Sequence, residues 1–147
     1  MSRARDLRAE FRTEAATAFS FLVEEWGFTH PEMTEDLLFS GPELLFRAPA
    51  LDVGVKLYDG REPQVVTSLA VVGADGVRGR WAELDELYVA AGRGPAQDVP
   101  GRAPNRRSTL KRLAQHATAL RRLMSLRPAP ELGRLIIRST TLRRERQ

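Results

Sequence analysis

The sequence predicts an α+β fold: an N-terminal helix packed on a small antiparallel sheet, with further helices at the C-terminal end. Three observations carry that reading. Apolar residues recur at helical spacing over residues 4–26, alternate with other residues at a period of two over residues 51–58, and return to helical spacing over residues 110–124.

Each element has a local signature. Over residues 4–26, Leu7, Phe11, Ala15, Ala18 and Leu22 fall on one stripe, with Phe19 beside it, and Arg8, Glu10, Arg12 and Glu14 fall largely off it. Gly27 stands where a left-handed C-terminal cap is wanted, Phe28 can close over Val23, and Thr29-His30-Pro31 ends the helix. The middle of the chain reads as strands. Asp36–Phe39 is a short strand or the approach to one, Ser40-Gly41-Pro42 is a turn, and Glu43–Ala48 is extended and stopped by Pro49. Leu51, Val53, Val55 and Leu57 alternate with Asp52, Gly54, Lys56 and Tyr58, the cleanest strand pattern in the chain. Residues 59–63 form a hairpin loop, and Val65–Val72 returns as an almost continuous apolar run, expected to be central and covered on both faces. Gly73-Ala74-Asp75-Gly76 turns the chain again before a last short strand, Val77–Trp81.

A short helix, Ala82–Ala91, follows and stops at Gly92. Residues 92–104, with three glycines and three prolines, read as a mobile loop. The next helix is capped by Asn105 or Ser108, and Leu110, Leu113, Ala117, Leu120 and Met124 form its apolar stripe. Pro128 and Pro130 break the pattern, Glu131–Arg138 adds a turn or two of helix, and the basic tail 139–147 is expected to fray. Residues 1–138 thus make a single domain with that tail attached.

Composition narrows the function classes. A hydrophobic content of 42% supports a proper core and argues against wholesale disorder. The absence of cysteine excludes disulfides and thiolate chemistry and suits a reducing compartment. No apolar signal-peptide core or membrane-length apolar run stands out, so no membrane role and a cytoplasmic location are expected. The net charge of +4 hides an uneven distribution: residues 1–100 carry 10 basic and 17 acidic side chains, whereas residues 101–147 carry 13 and 2. All the basic residues except Lys56 and Lys111 are arginine, a composition that a high-GC bacterial genome produces. Genome composition accounts for the arginine-to-lysine ratio but not for the clustering.

Catalytic and metal signatures do not stand out. The sequence has no Walker-type lysine loop, no G-x-S-x-G elbow and no H-E-x-x-H. Its glycine pairs at 73–76 and 92–94 do not join a strand to a helix at phosphate-binding spacing. His30, near Glu32, Glu35 and Asp36, reads as a surface turn, and His116 as a boundary residue off the main stripe. Asp85 and Glu86, adjacent on a helix, point apart and make a poor catalytic pair, while Trp26 and Trp81 read as rim-of-core packing at element junctions. No catalytic residue, metal ligand or cofactor site is assigned, and no cofactor is expected.

The run Phe19-Ser20-Phe21-Leu22-Val23-Glu24-Glu25-Trp26-Gly27-Phe28 resembles an F-x-F-L-x-x-E-x-G-F signature found in a loose group of small uncharacterised bacterial proteins, with Trp26 where that pattern usually has tyrosine. Some of these proteins are immunity-like or toxin-associated. The resemblance therefore implies a non-enzymatic protein-interaction domain with another protein as partner, and it carries no functional residues across. The alternative is a nucleic-acid-binding accessory protein that would use Arg106, Arg107, Lys111, Arg112, Arg121 and Arg122 of the basic helix. The same residues could instead pair with the acidic body of the chain. Oligomeric state is left open.

Overall fold

The computed structural model describes residues 3–36, 41–58, 62–126 and 129–146. The architecture is α+β. Helices α1 (Arg3–Ala18) and α2 (Phe21–Trp26) precede five strands: β1 (Glu32–Asp36), β2 (Gly41–Arg47), β3 (Leu51–Tyr58), β4 (Gln64–Val72) and β5 (Arg78–Glu83). Helix α3 (Leu84–Ala90), a 3-10 turn (Ala96–Asp98), α4 (Arg106–Leu126) and α5 (Ala129–Arg146) complete the chain. The strands form an antiparallel meander in the order β1-β2-β3-β4-β5, so β3 is central.

Register decides which side of the sheet is core. Val55 of β3 lies opposite Leu44 of β2 and Thr67 of β4, and Val53 lies opposite Phe46 and Leu69. Side chains alternate across a strand, so these residues share one face with Leu51, Leu57, Val65 and Ala82. All of them are buried. On that face they meet Phe11 and Ala15 of α1, Phe21 and Leu22 of α2, Leu84 and Leu87 of α3, Leu113 and Leu120 of α4, and Leu132 and Ile136 of α5, in one continuous core. The predicted boundaries of β3 and the burial of its four apolar residues match the structure.

The first helix is broken where the sequence predicts one helix over 4–26. Phe19, Phe21 and Leu22 are all buried. On a continuous α-helix Phe19 and Phe21 would lie about 200° apart and could not both face the sheet. The break at Phe19-Ser20 re-aims the chain, and the two rings stack with centroids 6.2 Å apart. Gly27 takes the expected left-handed cap at φ 74, with its N–H directed to the Leu22 carbonyl, which Phe28 N–H also reaches at 3.0 Å.

Other expectations shift as well. The first strand occupies Glu32–Asp36 rather than Asp36–Phe39, and the proposed turn at Ser40-Gly41-Pro42 gives way to β2 at Gly41; residues 37–40 lie outside the described residues, as do 59–61 of the predicted hairpin loop. Strand β4 is flanked by β3 and β5, an interior strand as expected, but it is not covered on both faces: Val66 and Ser68 on its second face are partly exposed. The loop 92–104 is tied to the domain: Val99 and Ala103 are buried, Val65 N–H bonds the Gly101 carbonyl at 2.8 Å, and Ala103 N–H bonds the Pro63 carbonyl at 2.8 Å. Helix α5 begins at Ala129 and runs to Arg146, because Pro130 sits in a first turn, where its missing N–H breaks no helical bond.

Val55 is fully buried in the middle of the core face. Val55→Asp is expected to lower stability by about 3 kcal/mol or more, because an unpaired carboxylate would have to be desolvated. Urea unfolding checks this, and a parent-like midpoint would show that the register is wrong.

Candidate interaction surfaces

The residues between the core positions of the strands point the other way. Glu43, Lys56, Tyr58, Val66, Ala70 and Trp81 edge a groove of about 310 Å³ on this second face, with no helix residue in its lining. Among the described residues no helix covers it. Trp81, expected at the rim of the core, is instead on this face and 50% exposed, because it pairs across β4 with Ala70 while its neighbour Ala82 takes the core position opposite Leu69.

Both cations that line this groove are paired with carboxylates of the same face. Lys56 Nζ lies 3.5 Å from Glu43 Oε2 and 5.4 Å from the centroid of the Tyr58 ring. Glu43 also accepts a hydrogen bond from Thr34 Oγ1 at 3.1 Å. Arg78 donates through Nε and Nη2 to Asp52 Oδ2 at 3.3 and 3.1 Å. Gly54 leaves room for the first pair: a Cβ there would stand 3.3 Å from Glu43 Oε2.

The six basic residues singled out from sequence lie on α4 but do not form one face. Asn105 caps the helix: Ser108 N–H donates to Asn105 Oδ1 at 2.8 Å, and Asn105 N–H donates to Ser108 Oγ at 3.1 Å. Arg106 forms a bidentate pair with Glu10 of α1, one bond being 2.7 Å. That pairing holds the Glu10 carboxyl below its ordinary value and raises the Arg106 guanidinium. Arg121 reaches Glu25 of α2 at 3.4 Å and lies over the Phe21 ring at 4.7 Å. Arg112 donates to the Arg102 carbonyl at 2.8 Å and to Gln115 Oε1 at 2.9 Å, and Arg122 donates to Tyr88 Oη at 3.3 Å. Arg107 and Lys111 are exposed, and no described residue forms an ion pair with either. The basic α4 is thus joined at two points to acidic side chains of α1 and α2.

His116 is buried, not a boundary residue. It lies on the core side of α4 between Leu113 and Leu120, spaced three and four residues from them. Its Nε2 is 2.8 Å from the Pro100 carbonyl, which can only accept, so Nε2 carries the proton. Nδ1 then accepts from Thr67 Oγ1 at 2.9 Å. The imidazole ties α4 to β4 and to the 92–104 segment. A small cavity of about 100 Å³ adjoins it, reached also by Glu83 and Asp85. Both ring nitrogens are occupied by the fold, which accounts for this histidine as a structural clamp. Nearby, Glu83, Asp85 and Glu86 bring carboxylate oxygens within 4.8 Å of one another at the start of α3, where acidic side chains offset the helix dipole. His30 is exposed, as the sequence suggests.

On the outer side of α4, a second groove of about 440 Å³ runs along the 3-10 turn. Tyr88 Oη donates to Asp98 Oδ2 at 2.9 Å and fastens this turn to α3. Gly94 permits that contact, since a Cβ there would stand 2.5 Å from Asp98 Oδ2 and 3.2 Å from Tyr88 Oη.

Comparison with protein-family models, curated proteins and solved structures finds no match to this chain. Among the described residues, no helix is long and apolar enough to cross a membrane. The exposed position of Trp81 had a sequence signal in hindsight: Trp81 and Ala82 are adjacent on a strand, so only one of them can face the core. His116 had one too, in its spacing from Leu113 and Leu120.

Two measurements test this description. Burial lowers the His116 pKa below its ordinary value, an effect opposed by the Pro100 hydrogen bond and by Asp85 and reinforced by Arg112. The unfolded chain therefore takes up a proton before the folded one does. Stability is fully present above the unfolded value of about 6.5 and falls as pH drops from there through the lowered folded value. His116→Gln, which does not titrate, is expected to show a flatter decline of melting temperature between pH 7.5 and 5 than the parent; equal slopes would contradict the buried neutral clamp. Gly94→Ala is expected to cost about 2 kcal/mol in urea unfolding by displacing the Asp98 carboxylate from Tyr88, the order of a hydrogen bond to a charged group.

Proposed function

We propose that this chain is a non-enzymatic protein-interaction domain, immunity-like in kind, that receives another protein on the open face of its sheet. The observation that carries this reading is the groove framed by Trp81 and Tyr58 on a face that no described helix covers. Aromatic side chains supply large contact area at little entropic cost and recur at the centres of protein interfaces. Lys56 and Arg78 are paired within the face with Glu43 and Asp52, so a partner that covers Val66 and Trp81 leaves these cations compensated. Alternating apolar and paired polar groups suit a protein surface better than a polyanion, which needs a field of one sign.

The nucleic-acid reading draws on α4, and there the cations are largely engaged within the chain. Arg106 and Arg121 pair with Glu10 and Glu25, and Arg112 and Arg122 bond neighbouring groups. The immunity-like character rests on the Phe19–Phe28 signature, whose residues the fold uses to seat the first two helices on the sheet.

The tagged full chain, exposed to a lysate of its native host, is expected to retain a protein that Val66→Glu loses by at least tenfold, while the control variant Arg107→Ser retains it. Val66 is partly exposed, so the fold should tolerate the change, which circular dichroism checks. Retention of the same protein by Val66→Glu would overturn the reading.

A further inference from the structure

The groove beside α4 lies in the helical layer, on the other side of the molecule from the open sheet face, and that face leaves it unexplained. Its floor is made by Ala114, Gln115, Thr118 and the buried Ala119 of α4, and its wall by Tyr88 and the 3-10 turn with Gln97 and Asp98. Lys111 stands at one end and Arg122 at the other. Eleven residues on a helix make just over three turns, so the two cations share one side of α4 about 16 Å apart along its axis. Arg122 is held by Tyr88 Oη at 3.3 Å, and no described residue forms an ion pair with Lys111.

We propose that this groove docks an amphipathic helix of a partner protein that carries two carboxylates eleven residues apart, with small apolar residues between them. Ala114 and Thr118 are small, and Gln115 is engaged by Arg112, from which its Oε1 accepts a hydrogen bond at 2.9 Å, so a second helix can approach α4 closely, as helix packing requires. Lys111 and Arg122 then meet the two carboxylates, and the partner's apolar centre covers Ala114 and the methyl group of Thr118. Charge complementarity selects this occupant over a nucleic acid. Phosphates along a strand follow one another at about 3.4 Å of helix axis, so a backbone laid in the groove would crowd several anions between the two cations. That stretch of wall holds Asp98, which repels them. A helix with acids only at the two ends avoids that clash. The proposal goes beyond the sheet-face reading and does not depend on it, because its variants leave β2–β5 untouched.

The test uses the full chain and a synthetic probe: a fluorescent 18-residue alanine- and leucine-based helical peptide with two glutamates eleven residues apart. Anisotropy should show binding that weakens at least tenfold when both glutamates are replaced by glutamine. Lys111→Glu alone and the pair Lys111→Glu with Arg122→Glu should each weaken it at least tenfold, with melting temperature checked because Arg122 also bonds Tyr88. Lys111 is exposed, so its single variant reports on the groove without disturbing the core. A 20-base-pair DNA duplex should not displace the peptide at physiological salt. Absence of peptide binding, equal binding of the glutamine peptide, or indifference to Lys111→Glu would overturn the proposal. Displacement by DNA that depends on Lys111 would overturn it in favour of a nucleic-acid groove.

Discussion

The molecule depends on the alternation along the central strand. Leu51, Val53, Val55 and Leu57 commit one face of β3 to the core, and pairing on both sides passes that commitment to Leu44 and Phe46 and to Val65 and Leu69. A one-residue slip would turn Asp52 and Lys56 into the core, so register is strongly specified. With one face fixed as apolar, the apolar stripes of the helices have a single surface on which to be buried. All five helices contribute to one core, and the second sheet face is left outside it. The grooves follow from that asymmetry: one on the bare side of the sheet, the other on the outer side of the helical layer.

Polar groups then fasten the layers to one another. His116 joins α4, β4 and the 92–104 segment through two hydrogen bonds, and its fixed tautomer makes it a directional link. Tyr88 and Asp98 hold the 3-10 turn against α3. Arg106 and Arg121 join α4 to Glu10 and Glu25 at the surface, where exposed pairs of this kind contribute little individually. The uneven charge of the chain is therefore used in part within the domain. Segments far apart in sequence, the N-terminal helix α1 and the basic α4, meet as neighbours.

What was legible in the sequence was whatever left a periodic trace. Strand β3 and the cap at Gly27 were readable because a period of two and a helix-stopping glycine have local causes. Strand β1 was not, since Glu32–Asp36 is acidic, Met33 is exposed, and an edge strand needs no buried alternation. The break between α1 and α2 was hidden because Ala15, Ala18 and Leu22 continue a helical stripe across it; only the crowding of Phe19, Phe21 and Leu22 betrayed it. Pro130 looks like a helix breaker in the sequence, but its place in the first turn of α5 is compatible with a helix. Of the candidate sites, the six basic residues could be named from sequence, but their partners could not, because Glu10 and Glu25 lie 96 residues away along the chain. The open face could not be seen until the strand order showed that no described element returns to cover it.

Hydroxyl-radical footprinting of the chain, alone and bound to the protein it captures from its host, tests most directly whether the bare sheet face is the functional surface. Tyr58 and Trp81 are expected to be readily modified in the free chain and protected in the complex, while buried Tyr88 stays unreactive in both states. Unchanged modification of Tyr58 and Trp81 in the complex would contradict the account.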